Sequence, residues 1–237
     1  MPFTFSHPAI LLPFVKRKKI SITGLVIGSM APDLEFFFRM RTQSEISHTF
    51  HGLLLIDLPL AIIITLLFHG LLKKTLLFNS PNFIQKRVTL ACEINWFHYF
   101  NQNRMTVVVC FFIGAFSHFL LDSISHWDGY VVQLFPSLTR TFIWFPIYDW
   151  IQYGTSIIGL IVLGIFFFKL PQYKIQSREI SISFWVLSLL LTVVTIYLRF
   201  NLVVGWHSIA DMIIGCISSA VIALTISSLI YNRSRNF

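Results

Sequence analysis

Five stretches of this chain, about 50–72, 105–123, 150–169, 181–199 and 206–230, are apolar almost without interruption. A helix needs about 20 such residues to cross the hydrocarbon core of a bilayer, and five stretches of that length leave little room for any other fold. Composition agrees: 55% of residues are apolar and 12% charged, where soluble domains carry roughly 25% charged residues. The expected architecture is an all-α polytopic membrane bundle of about five to six spans, preceded by a short N-terminal helix and forming a single integral membrane domain over residues 1–237. The sixth stretch, about 20–38, is broken at Pro32-Asp33 and either crosses or re-enters. Residues 124–149, rich in aromatics and proline, read as a loop or re-entrant segment packed on the bundle.

The basic cluster Lys16 to Lys19 followed by Ile20 to Met30 resembles a signal peptide ending at Ser29-Met30-Ala31. Pro32 directly after such a cut, and fifteen mostly apolar residues before the basic cluster, argue that the N-terminus is retained. Orientation follows from Lys and Arg placement. With six crossings, Arg39, Arg41, Arg140 and Arg199 fall on one side and the other fourteen of the 18 basic residues on the opposite side. Both termini are therefore expected in the cytoplasm, in a multi-pass protein of the cell (inner) membrane. The net charge of +8 sits in short loops as a topology determinant, and no basic-aromatic module for nucleic acid is present. Cys92, Cys110 and Cys216 are scattered and read as small buried hydrophobes. Nothing in the sequence sets an oligomeric state.

An ionisable group at membrane depth costs roughly 2.5–3.5 kcal/mol on insertion scales and is a functional-site hypothesis by default. Asp33, His48, His51, Asp122, His126, Asp149 and His207 all fall at the outer ends of their helices, with His118 and Asp211 about one turn deeper. This convergence is independent of the orientation argument, which used Lys and Arg alone. His69, His98, Asp57 and Glu93 read as structural. Trp127, Trp144, Trp150 and Trp206 near the same boundary read as an interfacial belt.

Within Gly114 to His126, residues His118, Asp122 and His126 are spaced by four and share one helix face. His118 and Asp122 lie about 6 Å apart along the axis and can hold one ion; His118 and His126 lie about 12 Å apart and cannot share one on a regular helix. Either two ions sit here, or His126 has a second role such as substrate contact. His207 and Asp211 repeat the His-xxx-Asp spacing. One such pair alone is also what an intrahelical hydrogen bond looks like; two pairs, with Asp33 and His48 on the same side, point to a shared polar site. Imidazole and carboxylate without paired thiolates suit a divalent metal, zinc first and manganese or iron less strongly.

The opening Met1-Pro2-Phe3-Thr4-Phe5-Ser6-His7-Pro8-Ala9, the run Ile27-Gly28-Ser29-Met30-Ala31-Pro32-Asp33, Ser47-His48-Thr49 and the Gly114 to His126 block resemble an uncharacterised family of bacterial multi-pass membrane proteins, DUF4184-like, over most of the chain. That family carries no established activity. More distantly, the pattern is similar to membrane-bound metal-dependent hydrolases of the YdjM type and to the zinc-dependent phospholipase C and single-strand nuclease group. That resemblance implies metal positions at His7, Asp33, His48, His118 and Asp122. His126 matches less well. Two departures stand out. The phospholipases use an N-terminal Trp amine where this chain begins with Met1, and their His-xxx-Glu helix has no clear equivalent, unless His207 and Asp211 substitute.

The leading expectation is a membrane-embedded metal-dependent hydrolase acting on a phosphoester or lipid at the outer face. His126 or Asp211 would be the general base, and His207 and His51 outer or alternative ligands. The alternative is a non-enzymatic membrane protein, a transporter or proton relay or a structural bundle, in which the His/Asp cluster only packs. A relay predicts polar groups spread through the bilayer depth rather than gathered at one face.

Overall fold

A computed structural model describes residues 3–17, 19–174, 179–202 and 208–233. Helix accounts for most of the chain and strand for almost none, as the apolar runs predict. Among the described residues, five helices are long and apolar enough to cross a membrane: Leu53–Phe78, Arg104–Leu134, Ile147–Phe168, Ile182–Leu202 and Ile209–Asn232. They coincide with the five apolar runs. In chain order the helices are α1 (Ile22–Met30), α2 (Leu34–Arg39), α3 (Leu53–Phe78), α4 (Asn82–Glu93), α5 (Trp96–Gln102), α6 (Arg104–Ser125), α7 (Tyr130–Leu134), α8 (Ile147–Phe168), α9 (Ile182–Leu202) and α10 (Ile209–Arg233). A 3-10 segment, Thr4–Phe14, precedes them. A two-stranded hairpin, β1 (Thr141–Phe142) and β2 (Phe145–Pro146), stands before α8.

The chain divides into two compact units. The first comprises Met1–Asp33, His48–Ala61 and Phe100–Leu170. Its centre is the packing of α1 on α6. Gly24 and Gly28 present a bare stripe on α1, and Gly114 answers on α6. A Cβ on Gly24 would lie 2.5 Å from the Val107 carbonyl oxygen; one on Gly28 would overlap the Phe111 carbonyl, and one on Gly114 the Leu25 carbonyl. Small residues let two membrane helices meet backbone to backbone, and here they meet in ascending register. Ser21 donates its amide to Cys110 Sγ at 3.3 Å, and further along Ser29 accepts from His118 at 2.9 Å. The two helices therefore run parallel, so the end of α1 arrives beside the end of α6.

The segment about 20–38 is thus not one straight span. Helix α1 has nine residues, about 14 Å of rise, and yields to a 3-10 turn at Ala31–Asp33 where Pro32 supplies no amide donor. Pro8 and Pro13 likewise interrupt the α-helical ladder of the N-terminal segment, which is 3-10 throughout. That segment docks on α8, where Gly159 leaves room for Ser6 and Ser156 accepts from the Phe3 amide at 2.8 Å. Leu11, Leu25 and Cys110 close a small core beneath it.

The second unit comprises Leu34–Ser47, Ile62–Tyr99 and Pro171–Phe237, with α9 packed on α10. Buried Lys73 donates to the carbonyls of Ala91 (3.4 Å) and Ile94 (2.8 Å) at the end of α4, where cationic groups satisfy orphan carbonyls. Ser218 on α10 donates to the Phe37 carbonyl at 2.8 Å.

Gly28→Ala should destabilise the protein by about 1–3 kcal/mol, because its methyl meets backbone rather than a movable side chain. Gly164→Ala, with nothing within 4 Å of the added methyl, should leave stability at or above that of the parent. Thermal unfolding of both variants in one detergent checks this; equal midpoints would contradict the close-packing account.

Candidate metal centre

Helix α6 sets the site's axis. His118 and Asp122 are one turn apart on the face turned to α1, and both are buried. Ser29 lies in the last turn of α1, where carbonyls run out of intrahelical partners. His118 Nδ1 lies 2.9 Å from the Ser29 carbonyl oxygen. A carbonyl can only accept, so Nδ1 carries a proton and Nε2 is the ring atom turned to the carboxylates. Metal-binding imidazoles are oriented by this kind of backbone bond.

Asp33 enters from the 3-10 turn that ends α1. It is fully buried, and its Oδ2 accepts from Thr4 Oγ1 at 2.6 Å. The other oxygen, Oδ1, lies 3.5 Å from His118 Nε2 and 3.6 Å from His48 Nε2. His48 reaches in from the chain leading to α3, with a left-handed backbone at φ 68°. Such a conformation costs on the order of 1–3 kcal/mol in a non-glycine residue and persists where the surroundings demand it. The next residue, Thr49, caps the following helix by accepting from the Gly52 amide at 2.9 Å. His48 Nε2 is also 3.6 Å from Asp122 Oδ2, which is 3.1 Å from His118 Nε2.

Four atoms thus form a closed ring with edges of 3.1–3.6 Å: Asp33 Oδ1, His48 Nε2, Asp122 Oδ2 and His118 Nε2. Neighbouring donors at 2.0–2.2 Å from zinc are about 3.4 Å apart, close to these edges, while Asp33 and Asp122 at opposite corners belong to different sets of mutually close donors. His7 completes the group: its ring stacks on His118 with centroids 4.0 Å apart and planes 13° from parallel. His7, His118 and Asp122 form one group of donors mutually within 4.8 Å, and Asp33, His48 and His118 form a second.

The donor chemistry fits a cation. Asp33 Oδ1, both Asp122 oxygens and His118 Nε2 are buried and make no well-formed hydrogen bond among the described residues. The two carboxylates face only the His48 and His118 imidazoles as charge partners, and a divalent ion could balance them in place of ring protons. His48 already feels their charge. Burial alone would lower the pKa of its imidazole, but the Asp122 and Asp33 carboxylates outweigh that and hold it up at about 9.

The structure therefore brings His7, Asp33, His48, His118 and Asp122 together. His126 stands apart from the donor groups. Helix α6 ends at Ser125, and His126 is extended, with Nε2 3.9 Å from Asp122 Oδ2 and Nδ1 3.6 Å from Asp128 Oδ1. His51 is exposed and belongs to neither donor group. Asp211 is a residue of the second unit, where its Oδ1 accepts from both the amide (2.6 Å) and the hydroxyl (2.5 Å) of Thr42. His207 lies outside the described residues. Sequence reasoning missed Thr4, Ser29 and Asp128. Thr4 was within reach of it, since Thr4 and His7 are three apart in a 3-10 segment and so share a face.

A family model described as a domain of unknown function (DUF4184) matches residues 1–229 of the chain. No curated protein and no solved structure matches, so the more distant likeness to membrane-bound hydrolases and phospholipase C gains no support from relatives.

The raised pKa of His48 fixes the sign of a pH effect. In metal-free protein its stabilising contribution is complete below the unfolded value of 6.5 and is lost as pH rises through about 9. Divalent metal binding at neutral pH should release about one proton from His48 and tighten as pH rises. Titration in weakly buffered detergent with a pH indicator reads the release. A His48→Asn protein releasing as many protons as the parent would contradict the assignment.

Proposed function

The chain belongs to the DUF4184 family, and from that premise we propose that it is a membrane-embedded metal-dependent hydrolase acting on a phosphoester or lipid at the outer membrane face. The observation that carries the reading is the four-atom ring of two carboxylate oxygens and two imidazole nitrogens with edges of 3.1–3.6 Å. His118 and Asp122 provide the rigid half of the site from one helix. Asp33, tied by Thr4, and His48 provide the other half, and His7 is the further ligand. Zinc is the metal that best suits this donor set. A bound divalent ion would lower the pKa of a coordinated water toward neutrality and polarise a phosphoryl oxygen.

The chain's own residues would do the rest. His126 is partly open to solvent, with one ring nitrogen toward Asp122 and the other toward Asp128. It is suited to take a proton from an attacking water and pass it outward. Asp211 has its carboxylate engaged by Thr42, which favours His126 as the base.

The test is Asp122→Asn. The amide keeps the shape and hydrogen-bonding capacity of the carboxylate but removes the charge that balances a cation. Expression and membrane insertion should stay near the parent's, while metal content falls by more than about tenfold, measured by elemental mass spectrometry after identical purification. His126→Gln should keep the metal and lose phosphoester hydrolysis. Equal metal content in parent and Asp122→Asn would favour the non-enzymatic alternative, a cluster that only packs, because a neutral amide is easier to bury than a carboxylate.

A further inference from the structure

We propose that the hairpin Thr141–Pro146 is a rigid lipid anchor whose tip, Ile143-Trp144, inserts into the membrane interface beside the end of α6. The hairpin lies in the stretch between the candidate spans Arg104–Leu134 and Ile147–Phe168, so it emerges at a membrane surface, on the side to which the end of α6 carrying Asp122 and His126 leads. Its only charged residues are Asp128 and Arg140. Trp127, Tyr130, Phe135 and Phe142 are exposed, Ile143 is 62% exposed and Trp144 81%. So many exposed large apolar side chains in one connecting segment signal a partner. Its aromatic content is that of the headgroup region, where Trp and Tyr concentrate.

Backbone strain supplies a second, independent observation. The strands pair Thr141 with Pro146 and Phe142 with Phe145, leaving Ile143 and Trp144 as a two-residue turn. Such turns want Asn or Gly where φ is positive, yet Ile143 holds φ 61°. A β-branched residue there is an outlier. A turn serving only to reverse the chain in water gains nothing from isoleucine at that position. A turn that must carry an apolar tip into lipid does.

The hairpin is also fixed in place. Trp150 Nε1 on α8 donates to the Phe142 carbonyl at 2.9 Å, and the Ile147 amide donates to the Arg140 carbonyl at 3.1 Å. The Phe145 ring meets Trp150 and Tyr153 edge-on, each at 5.9 Å. Lipid is the occupant because this surface is continuous with the lipid-facing sides of the helices it joins: Trp150, Tyr153 and Ile157 of α8 are exposed as well. Arg140 at the hairpin's base carries the charge that suits a headgroup phosphate. None of this depends on the metal centre.

The test uses the full chain in nanodiscs of phosphatidylcholine brominated at shallow acyl positions. The fluorescence lost on Trp144→Phe defines the Trp144 component. Most of that component should be quenched in brominated relative to unbrominated discs, while aqueous iodide leaves it largely intact. Quenching by iodide and not by brominated lipid would put the tip in water and overturn the proposal. Quenching by neither would mean that protein, such as a second copy of the chain, covers the tip, and would overturn it too.

Discussion

Backbone-to-backbone contact between α1 and α6 is the constraint on which the rest of the first unit depends. Gly24, Gly28 and Gly114 bring the two helices closer than any side chain would allow, and three consequences follow. The Ser29 carbonyl comes within hydrogen-bonding distance of His118 Nδ1, which places a proton on Nδ1 and turns Nε2 to the carboxylates. The 3-10 turn at Ala31–Asp33 delivers a fully buried carboxylate opposite His118 Nε2. The parallel register brings both acidic ends to the same level. Lipid offers no hydrophobic drive for helix pairing, so this steric fit and the hydrogen bonds along it carry the association.

Two other buried carboxylates, Glu35 and Asp211, are held by amides and hydroxyls. Glu35 in the second unit accepts from the Ser47 amide (2.9 Å) and hydroxyl (2.6 Å), from the Glu45 amide (3.2 Å) and from Arg39 Nε (2.8 Å). Asp211 accepts twice from Thr42. Both tie loops to helices through amides and hydroxyls. Asp33 Oδ1 and Asp122 face imidazole nitrogens instead, at distances and angles that leave them without well-formed hydrogen bonds.

The fold was legible because five long apolar runs admit few arrangements, and the basic residues gathered between them. Much of the cluster was legible for a different reason. Histidine and aspartate at span ends are functional-site hypotheses by default, so His118 with Asp122, Asp33 and His48 could be named from position, together with His51 and Asp149, which belong to neither donor group. His7 came from resemblance, since an isolated histidine in an apolar leader carries no signal of its own. What stayed hidden was whatever depends on backbone geometry. Gly24 and Gly28 look like ordinary helix glycines until another helix lies against them. The left-handed turn that aims His48 has no mark in Ser47-His48-Thr49. The tie between Asp211 and Thr42 joins residues 169 apart, and the His-xxx-Asp spacing that offered Asp211 as a general base carries no sign of it.

X-ray absorption at the metal edge of parent protein purified without added metal tests the central claim most directly. The account predicts one tightly held divalent metal whose first shell is nitrogen and oxygen only, at about 2.0–2.2 Å, with the outer-shell pattern of at least two imidazole rings. A first shell containing sulfur at about 2.3 Å, or no metal retained above the level of Asp122→Asn protein, would contradict it.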